Sequence, residues 1–89
     1  MGCEYMLDFE VDRQRADRIL RSIPGFERLD AEYDLYYFRR DVADAMPDAH
    51  AKIEKSGIYL CFNGGSHHII PEIRAAFAAI GLDAELREL

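Results

Sequence analysis

The residues most able to do chemistry are gathered in Asn63-Gly64-Gly65-Ser66-His67-His68, where a glycine pair leads from an alternating apolar run into the start of a helix. Unpaired backbone N–H groups and the positive end of a helix dipole attract phosphate or carboxylate, and a neighbouring imidazole can donate a hydrogen bond or move a proton. The pattern is neither the G-x-x-x-x-G-K-[ST] phosphate loop nor the G-x-G-x-x-G fingerprint. Gly64, Gly65, Ser66, His67 and His68 are therefore expected to form a structural turn first and an anion or small-molecule site second, with Ser66 and the histidines satisfying helix-end groups.

Cys61, His67, His68 and His50 are the residue types that hold zinc or copper. Their spacing does not assemble a site: adjacent histidines point apart, and no further ligand is positioned by sequence. No metal and no cofactor is expected, and Cys61 has no base or orienting acid assigned to it as a nucleophile would need. Asp8 and Glu10, two residues apart on one strand, could share a proton or grip a cation only if a pocket enclosed them. No catalytic residue is assigned on this basis.

These side chains need elements to position them. Tyr5, Leu7, Phe9 and Val11 alternate with polar neighbours, the period of a half-buried strand. Asp12 then suits the cap of a helix whose stripe is Ala16, Ile19, Leu20 and Ile23, stopped by Pro24-Gly25. Arg13, Arg15, Arg18 and Arg21 lie mostly off that stripe and read as a solvated face paired in part with Asp17. Phe26 anchors the turn, and Tyr33 to Arg40 form an aromatic strand. Residues 41–49 are a polar connection, and His50 to Lys55 are a short strand or the first half of a bent one. Ile58, Leu60 and Phe62 alternate with Tyr59, Cys61 and Asn63 in a central strand. Pro71 belongs in the first turn of a second helix with stripe Ile70, Ile73, Phe77 and Ile80, capped at Gly81, before a last strand in which Leu82, Ala84 and Leu86 alternate with Asp83, Glu85 and Arg87.

The order strand, helix, strand, strand, helix, strand over residues 1–89 predicts one α+β domain of the ferredoxin-like split β-α-β (βαββαβ) type. Two helices would cover one face of an antiparallel sheet of four strands, or five if His50 to Lys55 stand alone. With Leu7, Phe9, Leu60 and Phe62 under the helices, the open face would carry Met6, Tyr36, Phe38, Tyr59 and Cys61 beside Asp8, Glu10 and Arg40. Aromatic residues and Met are enriched in interface cores, and bordering charges choose the partner. The sequence is thus read as a protein-binding or self-associating module, a homodimer or one half of a complex with a basic protein. The alternative is a small-molecule site at the Gly64 to His68 turn or between the paired sheets of a dimer.

Composition narrows the partners. Seventeen acidic against eleven basic residues give a formal net charge of -6 and a pI near 4.9, a field that repels nucleic acid and anionic lipid. Lys55 to Phe62 resembles the RNP1 pattern of RNA-recognition domains only at its last four positions, and Asp8 and Glu10 would repel an RNA backbone. No apolar run approaches a membrane span. Two cysteines, Cys3 and Cys61, with no secretory leader, make a reducing cytoplasm the expected compartment.

Overall fold

The computed structural model describes residues 3–39, 49–62 and 69–89 of the chain. The element order is β1 (Cys3–Asp8), α1 (Arg13–Ser22), β2 (Phe26–Asp30), β3 (Leu35–Phe38), β4 (Ala49–Glu54), β5 (Gly57–Phe62), α2 (Ile69–Ala78) and β6 (Leu86–Glu88). The strands form one antiparallel sheet in the order β2-β3-β4-β5-β1-β6. This overturns the ferredoxin-like α+β plan: among the described residues the sheet has six strands, and sheet rather than helix dominates.

The correction has a local cause. Glu27, Arg28 and Asp30 give no apolar alternation, so sequence periodicity passes over β2. It is nevertheless a strand because it lies on the edge, where a polar face is tolerated and self-pairing is discouraged. A register shift between Phe26 and Arg28 marks a bulge there, and Asp30 accepts a hydrogen bond from the Glu32 amide (3.1 Å) to shape the turn into β3. The segment expected at His50 to Lys55 is a separate strand, β4, that starts at Ala49, ends at Glu54 and joins β5 through the two-residue turn Lys55-Ser56.

Helix α1 carries the chain from β1 past three strands to the far edge, and α2 carries it from β5 over β1 to β6. Asp12 caps α1, accepting from the amides of Gln14 (3.1 Å) and Arg15 (3.3 Å). Both helices lie on one face, where Ala16, Leu20, Ile73 and Phe77 close over Leu7, Tyr36, Phe38, Ala51, Ile58 and Leu60. At about 2 kcal/mol for each large apolar side chain removed from water, this layer is the main source of stability.

The Tyr36 hydroxyl enters that layer. Tyr36, 2% exposed, donates its hydroxyl to Asp17 of α1 at 2.5 Å. Asp17 also takes Arg21 one turn on at 3.0 Å. The Tyr36 hydroxyl is the largest influence holding the Asp17 carboxyl below its ordinary value; partial burial opposes it and Arg21 reinforces it. A carboxylate with a lowered pKa stabilises the fold above its unfolded value of 3.8 and loses that contribution as pH falls through the folded value. Tyr36→Phe is therefore expected to cost about 1 kcal/mol at neutral pH, modest because Asp17 is partly solvated. In urea titrations the difference from wild type should shrink below pH 3.8; a difference that persists into acid would mean that the hydroxyl acts by packing alone.

Candidate interaction surface

Because side chains alternate along each strand, the same register that buries one face fixes the composition of the other. Arg28 pairs with Tyr37, Tyr37 with His50, His50 with Cys61, and Cys61 with Glu4. These five residues form one row across β2, β3, β4, β5 and β1 on the open face. A second row runs through Lys52, Tyr59, Met6 and Arg87.

The centre of this face is aromatic and half-buried. The His50 ring lies 6.0 Å from that of Tyr37 and 6.3 Å from that of Tyr59. Burial lowers the His50 pKa from its ordinary value, with Glu4 acting in the opposite sense, so the imidazole is held toward its neutral form. The Tyr59 hydroxyl donates to the Glu4 carboxylate. Its pKa is raised first by burial, then by that bond and by the adjacent Cys61. The Arg28 guanidinium stacks on the Tyr37 ring at 4.4 Å and makes only loose contacts with Asp30 (3.9 Å) and Glu27 (4.0 Å).

The expected interface residues do not share one face. Met6, Asp8, Tyr59 and Cys61 do face the open side, although Met6 is only 7% exposed and fills the surface between its neighbours. Asp8 is clamped by Arg87 of β6 through two bonds of 2.8 and 2.9 Å, and the Arg87 bond holds its carboxyl below the ordinary value. Glu10 lies beyond the end of β1 and is exposed. Tyr36 and Phe38 are corrected: they are 2% and 0% exposed and point under the helices, because Tyr36 pairs with Ala51 and Phe38 with Ala49 on the covered face. Arg40 and the residues Gly64, Gly65, Ser66, His67 and His68 lie outside the described residues.

Sequence reasoning missed Glu4, Arg28, Tyr37 and His50. The signal that could have found them is the Lys55-Ser56 turn: once it is read as a hairpin, His50 falls opposite Cys61 and brings Tyr37 with it. Chemically the row offers hydrogen bonding, ring stacking and opposed charges at its two ends. Among the described residues no three of His, Cys, Asp or Glu are grouped to hold a metal ion, and no helix is long and apolar enough to cross a membrane. No protein-family model, curated protein or solved structure matches the chain, so the meaning of this surface rests on its own chemistry.

Proposed function

We propose that the chain is a self-associating domain whose open sheet face packs against a second copy of itself. The observation that carries this reading is the order of the row: Arg28 at one end, Glu4 at the other, and Tyr37, His50 and Cys61 between. A two-fold axis parallel to the strands reverses the row on the partner. Arg28 then meets the partner's Glu4, Tyr37 meets the partner's Cys61, and the two His50 rings meet near the axis. Aligned sheet packing at about 30° keeps such long side chains within reach. A neutral His50 removes charge repulsion at the axis, and Arg87 neutralises Asp8 within its own chain.

The area available is small. Six strands spaced about 4.8 Å apart span about 24 Å, by roughly 17 Å of strand length. That is about 400 Å² of flat sheet on each chain, below the roughly 600 Å² per partner of stable interfaces, so the association proposed is a weak one.

A charge swap tests the reading. By light scattering at micromolar to millimolar concentration, the wild type should shift from monomer to dimer. Arg28→Glu and Glu4→Arg should each weaken the dimer about tenfold or more, and the double variant should recover most of the loss, since only the exchanged pair restores attraction. Tyr59→Asp should abolish association without unfolding. A wild type that stays monomeric throughout, or a double variant no better than the singles, would refute self-association and leave a heterologous partner for this face.

A further inference from the structure

His50 stands at the middle of the open-face row, on β4, the strand along which the proposed two-fold axis runs. Rotation about that axis sets each imidazole against its own copy, so any charge the ring carries meets the same charge. Lys52, two residues further along β4, shares the axis. Its ammonium sits on a long stem that can turn out to water. The His50 ring has no such reach, and it is half-buried between Tyr37 at 6.0 Å and Tyr59 at 6.3 Å.

The groups around His50 on the open face come from three other strands. Tyr37 of β3 and Cys61 of β5 stand directly opposite it, and Tyr59 of β5 has given its hydroxyl to the Glu4 carboxylate of β1. Burial lowers the His50 pKa from its ordinary 6.5, while Glu4 acts in the opposite sense. Pairing of two chains buries the ring further, sets the partner's Arg28 against Glu4 and brings up a second imidazole beside Lys52. Each of these changes disfavours the charged ring.

We infer that acid opens the proposed dimer through His50: with both imidazoles neutral the two faces close, and protonation of the pair at the axis drives them apart. This rests on the self-association of the open face and adds its regulation. Because the dimer holds a proton at His50 less tightly than the free chain does, association is at full strength above the free-chain pKa, itself below 6.5, and is lost as pH falls through it. Opening takes up as many as two protons per dimer, one at each His50, which steepens the response.

Sedimentation equilibrium of the full chain at micromolar to millimolar concentration and fixed ionic strength gives Kd from about pH 7.5 down to about pH 5, above the ordinary range of carboxylates. Wild-type Kd should rise about tenfold or more over that interval, with the far-UV circular dichroism unchanged. His67 and His68 also carry imidazoles, so His50→Gln, neutral and of similar size, assigns the effect. Its Kd should match wild type near pH 7.5 and change less than about threefold toward pH 5. By NMR the wild-type His50 ring should titrate at lower pH in a millimolar sample than in a dilute one, the reciprocal effect, which needs no variant. A Kd unchanged by acid, a His50→Gln variant that dissociates as wild type does, a His50 titration independent of concentration, or dissociation that accompanies unfolding would each overturn the acid switch while leaving self-association at neutral pH intact. A wild type that is monomeric at every pH would overturn both.

Discussion

Gly57→Ala is expected to be among the most damaging single substitutions in this protein. Gly57 opens β5 with φ +149, and a Cβ built there would lie 1.9 Å from the carbonyl oxygen of Leu7, with the backbone of Asp8 also within 3.2 Å. The obstacle is main chain of the adjacent strand, so rotating a side chain cannot relieve it. Either β1 moves away from β5 near Asp8, breaking the ladder that pairs them over six positions, or the turn at Lys55-Ser56 is rebuilt. A cost of about 4 kcal/mol or more follows, against a total stability of roughly 5–13 kcal/mol for a domain of this size. Gly81→Ala is the control. Gly81 also has positive φ, +88, but nothing lies within 4 Å of its added Cβ, so the cost is conformational only, about 1 kcal/mol. Urea denaturation of the two variants should separate close approach from backbone strain. Equal midpoints would show that strands β1 and β5 do not approach as closely as this geometry requires.

Phe77→Ala should produce the second large effect. Phe77 is fully buried, its ring packs on Phe9 at 5.1 Å, and its carbonyl accepts from the amides of Ile80 (3.1 Å) and Leu82 (3.0 Å) where α2 ends. One side chain therefore joins α2 to the segment after β1 and to the sheet beneath. Removing it leaves a cavity that helix α2 cannot collapse into, because Ile73 and Ile70 hold the preceding turns in place. A loss of about 3–5 kcal/mol is expected, or a fall in Tm of at least about 12 °C for a domain of this length. Leu89→Ala, at a position 57% exposed, should leave Tm nearly unchanged. A Phe77→Ala Tm within a few degrees of wild type would mean that α2 is not docked through this ring.

The elements with strong periodicity were legible from the chain alone. Ala16, Leu20 and Ile23 mark the buried stripe of α1, Ile70, Ile73 and Phe77 that of α2, and Leu60 and Phe62 alternate in β5 as a two-faced strand must. Asp12 is readable as a cap because a short carboxylate before an amphipathic run has an immediate use for its oxygens. The charge balance, which sets the long-range field whatever the fold, was equally accessible.

What the chain alone did not determine was pairing. Strand β2 has no apolar alternation because it is an edge, and a strand that needs no second buried face leaves no periodic trace. In β3 both parities are apolar: Leu35 and Tyr37 compete with Tyr36 and Phe38, so hydrophobicity could not say which pair goes under the helices. That choice was made by β4, whose small residues Ala49 and Ala51 sit opposite Phe38 and Tyr36 and leave room for them beneath α1, while His50 sits opposite Tyr37 on the other side. The open row from Arg28 to Glu4 draws on five strands whose residues are up to 57 positions apart in the chain. Local sequence determines which side chains alternate, but only the long-range register determines which of them meet.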